Sequence, residues 1–171
     1  NQIYKTDKYD ESKFIFSIKR LFVENPSKKI KFNKLELNYS PIELASLVFD
    51  YLKKCSEKFL NTKITKCVIT VPAYFDDISR SAIKKSASNS GFDVLRLINE
   101  PTAAAYAYGL EKETRGNFFV YDIGGGTFDI SILKLTDGVF KVLSSGGDVC
   151  LGGDDFDIAF CKEVLKFNNL T

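Results

Sequence analysis

The chain has 171 residues, of which 44% are hydrophobic and 27% charged, with a formal net charge of +2. This composition indicates a soluble globular protein of one domain or two small lobes, without long-range attraction to nucleic acid or membranes. The absence of histidine excludes Ser-His-Asp and Cys-His catalysis and histidine metal sites.

The four cysteines lie in apolar stretches and show no Cys-x-x-Cys spacing. This predicts reduced, mostly buried thiols in a cytoplasmic protein. No apolar run approaches the roughly 20 residues of a membrane span, and residues 1–20 show no signal-peptide pattern. Because the chain begins at Asn1 and stops directly after a helical pattern, we expect it to be part of a longer protein. The cysteines are Cys55, Cys67, Cys150 and Cys161.

The first predicted elements are a helix from Asp10 to Leu21, a turn at Asn25 and Pro26, and one or two exposed strands. Ser40 and Glu43 then form a capping-box pattern, which predicts a second helix ending near Leu60. Apolar residues recur along this helix at helical spacing, which predicts a stripe facing the core. The stripe consists of Leu44, Leu47, Val48, Tyr51, Leu52, Cys55 and Phe59.

A strand, a helix and a second strand are predicted next. The strands run from Cys67 to Val71 and from Val94 to Ile98, and the helix lies between a cap at Asp76 or Asp77 and a stop at Gly91. This order over about 30 residues is typical of a right-handed parallel crossover unit. The loops that follow both strands then meet at one edge of the sheet.

A helix of small residues is predicted from Asn99 to Gly109, and a glycine-led helix from Asp154 to about Phe167 closes the chain. Between them lie three strands, the last two joined by a turn at Asp137 and Gly138. A parallel unit followed by an antiparallel meander favours two lobes that meet near residues 110–117. The three strands are predicted at 118–123, 128–135 and 139–145.

The most informative stretch is FFVYDIGGGTFDIS at 118–131, in which two strands flank three glycines. Without a Cβ, Gly124–Gly126 can bring their backbone N–H groups close to an oxyanion, so the turn is a candidate phosphate cradle. Thr127 can hydrogen-bond a terminal phosphate. Mg²⁺, which prefers oxygen ligands and often keeps waters, can be held through water by Asp122 and Asp129.

This turn differs from both of the commoner glycine loops. The chain contains no G-x-x-x-x-G-K-[ST] run, and a G-x-G-x-x-G loop opens a helix, whereas the residues after this turn favour a strand. On the residues alone, a structural glycine hairpin with solvated acids is an equally good interpretation.

Four runs occur in a characteristic order: VITVPAYFDD at 68–77, LINEPTAAAYAYGL at 97–110, VYDIGGGTFDIS at 120–131 and LGGDDFD at 151–157. Together they closely resemble the nucleotide-binding domain of the seventy-kilodalton heat-shock chaperones, the DnaK family. The resemblance covers roughly residues 12–22 and 40–160. The stretch GVFKVLSSGGD, followed by LGGDDFD, is more similar to HscA, the branch dedicated to iron–sulfur cluster assembly.

The resemblance implies an α/β, actin-like ATPase fold of the ribonuclease H-like type, present in part. ATP or ADP, Mg²⁺ and K⁺ would lie in a cleft between two lobes. Residues 1–110 would belong to lobe I, with a peripheral part at 1–39 and a core βαβ unit at 40–110. Residues 111–150 would form the core of lobe II, and 151–171 the start of its peripheral part.

The resemblance also implies catalytic roles. Lys19 would position the attacking water, Glu100 and Asp122 would organise metal-bound water, and Thr127 would contact the γ-phosphate. This is phosphoryl transfer by positioning and charge stabilisation, which needs no histidine. The alternatives are an exposed helical lysine at Lys19 and, at Glu100, an acid favoured by the helix dipole.

Further residues have implied binding or relay roles. Asp129 would help Asp122 to hold cations. Pro72 and Arg80 would relay nucleotide state to a substrate-binding domain, although on the residues alone they are a strand terminator and a surface arginine. The glycines that would serve the nucleotide are Gly124, Gly125 and Gly126 at the phosphates, with Gly152 and Gly153 as a hinge.

The partners implied are a client peptide bound by a further domain, a J-domain cochaperone and, for the HscA branch, an iron–sulfur scaffold protein. No nucleic-acid or membrane partner is expected. The alternatives are a non-catalytic remnant or cochaperone-interaction module, or another actin-like ATPase. Because a first phosphate hairpin and the adenosine-binding segments are missing, the isolated chain is predicted to bind ATP weakly or not at all.

Overall fold

The computed structural model describes residue 15 and residues 18–31, 38–109 and 115–169, and their fold is mixed α/β, as predicted. None of the helices in these ranges combines the length and the hydrophobicity of a membrane span. The elements in chain order are α1 (Ile18–Glu24), β1 (Ile30–Lys31), β2 (Asn38–Tyr39), α2 (Pro41–Leu60), β3 (Lys66–Val71), α3 (Asp77–Asn89), β4 (Asp93–Asn99), α4 (Glu100–Gly109), β5 (Arg115–Ile123), β6 (Phe128–Thr136), β7 (Val139–Asp148) and α5 (Gly153–Phe167).

The first elements differ from the prediction at their boundaries. α1 continues past its predicted end at Leu21 to Glu24, and most of its predicted first half lies outside the described residues. The predicted turn is present, because the Lys28 N–H donates to the Asn25 carbonyl at 3.2 Å. β1 and β2 pair antiparallel, and residues 32–37 between them lie outside the described part.

Local sequence signals set both ends of α2. Ser40 adopts an extended conformation, and its hydroxyl accepts from the Glu43 N–H at 3.3 Å. The Glu43 carboxylate accepts in turn from the Ser40 N–H at 2.7 Å, which completes the predicted capping box. At the other end Asn61 adopts a left-handed conformation, φ 49°, and its N–H bonds to the Glu57 carbonyl.

The apolar stripe of α2 is not part of the core, so that prediction is wrong. Leu47 is 56% and Phe59 88% exposed, and Val48, Tyr51, Leu52 and Cys55 are exposed too. The helix packs mainly on α3 through its other side, where Ala45 is buried. The helical spacing identified an apolar face, but among the described residues no element covers it.

The predicted parallel unit is confirmed. β3 and β4 pair in parallel, with Lys66 opposite Asp93 and Val71 opposite Asn99. α3 connects them and begins after Asp76, whose carboxylate accepts from the Ser79 N–H at 2.8 Å. Since the strands are parallel, the segments that follow them, beginning at Pro72 and Glu100, start at the same edge of the sheet. The small core beside this sheet consists of Phe22, Ala45, Val71, Phe75 and Ala82.

β5, β6 and β7 form an antiparallel meander. Asp137 and Gly138 have positive φ, 50° and 79°, as a tight hairpin turn of this kind requires. Gly146 and Gly147 were predicted to lie beyond β7, but they belong to its last part. Burial alternates along β6, and α4 contacts β5, β6 and β7. The buried residues of β6 are Asp129, Ser131, Leu133 and Leu135.

The prediction for the cysteines holds only in part. The four thiols are free, but Cys55, Cys150 and Cys161 are exposed. Their apolar neighbours on α2 and α5 are also exposed, so apolar sequence surroundings did not imply packing. Cys67 on β3 is half-buried, and burial raises the pKa of its thiol.

Candidate functional site

The glycine turn connects β5 to β6 and brings two acids face to face. In the strand register Asp122 lies opposite Asp129 and Ile123 opposite Phe128. The Gly124 N–H donates to the Thr127 carbonyl at 2.9 Å. The prediction that all three glycine amides are free for an anion is therefore wrong for Gly124.

The remaining donors of the turn have no partner among the described residues. The N–H groups of Gly125 and Gly126 make no hydrogen bond there, and neither does the hydroxyl of Thr127, a residue that is buried. Two adjacent amides and one hydroxyl are the donors that a phosphate group can use. The geometry of the turn thus agrees with a phosphate cradle that is smaller than the sequence predicted.

The N-terminus of α5 rests on this turn. The Gly153 N–H donates to the Gly124 carbonyl and the Asp154 N–H to the Gly125 carbonyl, both at 2.9 Å. Gly152 is buried, and a Cβ at this position would overlap the Gly125 carbonyl and lie 2.6 Å from the Gly126 nitrogen. Glycine is therefore required at position 152 for the helix and the turn to approach so closely.

Asp129 is a buried carboxylate beside the turn, only 2% exposed. Its Oδ1 accepts from the Ala73 N–H at 3.0 Å, so it ties β6 to the segment after β3. Burial raises the pKa of Asp129 first of all. The Ala73 hydrogen bond opposes this shift, and the nearby charges of Glu100 and Asp122 raise the pKa further.

Lys19 and Glu100 form an ion pair next to Asp129. Lys19 Nζ lies 2.7 Å from Glu100 Oε1, which links α1 to the first turn of α4. The lysine is half-exposed, and its charge lowers the pKa of Asp129. The structure therefore brings together one cation and three acids that the sequence predicted from distant parts of the chain. They are Lys19, Glu100, Asp122 and Asp129.

These acids fit a hydrated Mg²⁺ better than a directly chelated ion. Within the described ranges, no three or more Asp, Glu, Cys or His side chains are grouped closely enough to hold a metal directly. Burial and two neighbouring acids nevertheless disfavour the ionised form of Asp129, and a nearby cation would favour it. Carboxylate oxygens that bind through water are the donors Mg²⁺ prefers.

Pro72 and Arg80 are connected to the segments that lead to Asp129 and Glu100. Pro72 is buried, and Arg80 is half-buried rather than a plain surface arginine. The Arg80 guanidinium donates to the Phe75 carbonyl at 2.8 Å and to Asn99 Oδ1 at 2.7 Å. A longer bond, 3.3 Å, reaches the Ala73 carbonyl. Arg80 thus connects the segment that binds Asp129 with the end of β4, directly before Glu100.

Arg20 is the site residue that the sequence reasoning missed. Its Nε donates to the Gly126 carbonyl at 2.9 Å, and its two terminal nitrogens bind both carboxylate oxygens of Asp155. The available signal was its place beside Lys19 in the run FSIKRL. That signal was weak, because neighbouring residues of a helix point in different directions.

Comparisons with known proteins show what the sequence of this chain is similar to. The family model described as "Hsp70 protein" matches residues 4–169. The chain is 48% identical to a "Chaperone protein HscA homolog" of Rickettsia bellii, over 91% of this chain and 27% of the relative. It is 55% identical to a "Mitochondrial-type heat shock protein 70" of Encephalitozoon hellem, over 75% and 21%. Identity to a "Chaperone protein DnaK" of Mycoplasmopsis synoviae is 51%, over 89% and 25%. The chain spans about a quarter of the length of these relatives.

Proposed function

The chain belongs to the Hsp70 family, as its four runs predicted, and on this premise we propose that it forms part of the ATP-binding and hydrolysing site of a chaperone. The observation that carries the proposal is the position of Asp129. This buried carboxylate lies at the glycine turn and interacts with the charges of Glu100, Asp122 and Lys19. A purely structural hairpin gains nothing from a buried charge at this place.

The phosphates would lie against the turn. The N–H groups of Gly125 and Gly126 would donate to phosphate oxygens, and the Thr127 hydroxyl would contact the terminal phosphate. The carbonyls of Gly124 and Gly125 already accept from the start of α5, which keeps the turn in place while its amides bind. Gly152 and Gly153 would form the hinge into the following part of the protein.

The charged residues would bind the cation and the attacking water. Asp122 and Asp129 would hold Mg²⁺ through water, and when bound this ion supplies positive charge that stabilises the oxygens of the transferred phosphoryl group. Lys19 would position the attacking water, and Glu100 would orient Lys19 through their 2.7 Å ion pair. A role for K⁺ stays a prediction from the resemblance.

The actin-like fold implied by the family has two lobes, and this chain would supply part of each. In our proposal residues 1–110 belong to lobe I, residues 111–150 form the core of lobe II, and residues 151–171 start the peripheral part of lobe II. Pro72 and Arg80 would relay the nucleotide state, because Arg80 contacts both Ala73, whose N–H binds Asp129, and Asn99, which precedes Glu100. This network connects Asp129 with α3, the helix that carries Arg80.

The activity of the whole protein extends this proposal. ATP hydrolysis would drive binding and release of a client peptide in another domain, and a J-domain cochaperone would stimulate it. The relatives named HscA homolog support an HscA-like branch, for which an iron–sulfur scaffold protein is a proposed partner. A cytoplasmic location is proposed with it.

Nucleotide binding tests the proposal. The protein to use is the chain together with all flanking sequence that its reading frame encodes, called the extended protein below. In isothermal titration with Mg·ATP we expect a micromolar or tighter dissociation constant. Thr127→Ala should weaken binding about 10- to 100-fold, since one hydrogen bond to a charged group is worth roughly 1.5–3 kcal/mol.

Thr136→Ala is the matched control, because Thr136 lies at the far end of the same strand, β6, and is exposed. Its dissociation constant should equal that of the unmodified protein. If the extended protein shows no binding, or Thr127→Ala behaves like the control, the non-catalytic interaction module becomes the better account.

A further inference from the structure

Arg20 binds the glycine turn through a backbone carbonyl and leaves the turn's amides unused. The Gly126 carbonyl accepts from Arg20 Nε at 2.9 Å, and the Gly124 and Gly125 carbonyls accept from Gly153 and Asp154. All three glycine carbonyls therefore have donors. The amides of Gly125 and Gly126 are left without a partner among the described residues.

The same arginine also binds the helix that contacts the turn. Arg20 donates hydrogen bonds to both carboxylate oxygens of Asp155, and Asp155 Oδ2 also accepts from the Gly152 N–H at 2.8 Å. A bidentate arginine–carboxylate pair is strong and fixes orientation as well as distance. Asp155 thus caps α5 and anchors it to α1 at once.

The Arg20–Asp155 pair is less exposed than an ordinary surface ion pair. The side chains of Arg20 and Asp155 are 23% and 30% exposed, whereas those of Arg115 and Asp137 are 71% and 67% exposed. Exposed pairs contribute little because water and salt screen them. The Arg20 hydrogen bond is also the largest cause that lowers the pKa of Asp155.

We propose that Arg20 is a positioning residue that aims the Gly125 and Gly126 amides at the phosphates and sets the distance between Lys19 and the turn. Lys19 and Arg20 are adjacent on α1, but they bind different partners, Glu100 and the turn with Asp155. One short helix therefore aligns the proposed water-positioning lysine with the proposed phosphate cradle. This inference rests on the proposed ATPase function.

Hydrogen exchange in the nucleotide-free extended protein tests the positioning without any activity. In Arg20→Ala, amides in residues 122–129 and 150–157 should exchange about 10 times faster, because turn and helix lose their shared anchor. Amides of α3 should keep their rates. Arg115→Ala is the matched control, since it also removes an arginine bound to an aspartate, and it should leave both segments unchanged.

Two further variants test whether the Arg20–Asp155 pair is what protects these amides from exchange. Arg20→Lys keeps the positive charge but cannot donate two parallel hydrogen bonds to Asp155. Its amides should therefore exchange more slowly than those of Arg20→Ala and faster than those of the unmodified protein. The double variant Arg20→Ala with Asp155→Asn should exchange no faster in residues 122–129 than Arg20→Ala alone, because both changes break one interaction. If Arg20→Ala unfolds the whole protein, the exchange rates of Arg20→Lys and of Asp155→Asn in residues 122–129 and 150–157 test the anchor instead.

Steady-state kinetics, expressed per folded molecule, test whether the anchor also serves the proposed phosphate cradle. Arg20→Ala should lower kcat and kcat/KM together by about 10- to 100-fold, as expected when donors are misplaced in the transition state. Unchanged exchange in both segments, or equal changes in Arg115→Ala, overturns the inference even if the protein hydrolyses ATP. Faster exchange without any nucleotide binding by the unmodified protein upholds the anchor and rejects the ATPase proposal instead.

Discussion

At the scale of single residues, Asp129 is the side chain on which the proposed site depends most. A buried carboxylate with one backbone donor and two acidic neighbours is unfavourable for the folded chain by itself. A bound cation would remove that cost. In the proposed site, stability and function would therefore oppose each other at this residue, which is common in functional sites.

We predict that Asp129→Asn raises the free energy of unfolding at pH 7 in the absence of nucleotide. Asparagine still accepts from the Ala73 N–H but carries no charge. Because the folded-state pKa of Asp129 is raised, the folded protein retains a proton that the unfolded chain releases. The stability of the unmodified protein therefore falls as the pH rises from about 3.8 through the raised pKa.

Thermal denaturation between pH 4 and pH 8 measures this effect. The advantage of Asp129→Asn should grow with pH and be small at the acidic end. Asp137→Asn is the control, because Asp137 is exposed, and it should show no such gain. A lower melting temperature of Asp129→Asn than of the unmodified protein at pH 7 would contradict the role given to burial.

The sequence indicated the acids of this site but not how they are held. The resemblance predicted Lys19, Glu100, Asp122 and Asp129, and the structure places all four close together. The bonds of Arg20 and Arg80 could not be predicted from sequence. They depend on carbonyls and carboxylates that become neighbours only after distant segments pack.

At the scale of elements, the contact between the glycine turn and α5 allows a sharp comparison of two adjacent glycines. A Cβ on Gly152 would overlap the turn backbone, whereas one on Gly153 would meet the Gly124 carbonyl at an ordinary 3.8 Å. The turn and the helix must separate in the first case and need not in the second.

We therefore predict that Gly152→Ala lowers the free energy of unfolding by about 1–3 kcal/mol, the usual cost of overpacking. Gly153→Ala, its matched control, should change this energy by well under that amount. Urea denaturation of the extended protein measures both. Equal values for the two variants would show that the turn and α5 are not in such close contact.

Elements with local signals were predictable, and the faces they bury were not. The Ser40 capping box, the Asp137–Gly138 turn and the parallel pairing of β3 with β4 were all predicted correctly. Each depends on residues close in sequence or on a common connection rule. The prediction that the apolar stripe of α2 faces the core was wrong, because helical periodicity identifies an apolar face but not the element that covers it.

At the scale of the whole molecule, a site at the meeting point of several segments is the central feature. α1 supplies Lys19, α4 supplies Glu100, and the β5–β6 hairpin supplies both aspartates and the glycine turn. The relatives are about four times as long as the matched region. We accordingly expect the extended protein to bind ATP tightly. That these 171 residues alone bind ATP weakly or not at all stays a prediction.

Single-turnover hydrolysis of Mg·ATP by the extended protein tests the central claim most directly. Lys19→Ala should slow the chemical step about 10²- to 10³-fold, because removal of one preorganised donor at a reacting centre has effects of this size. Lys54→Ala, which removes a helical lysine paired with Asp50 far along α2, should hydrolyse ATP at the unmodified rate. Equal rates for Lys19→Ala and Lys54→Ala, or no hydrolysis by the unmodified protein, would contradict the account.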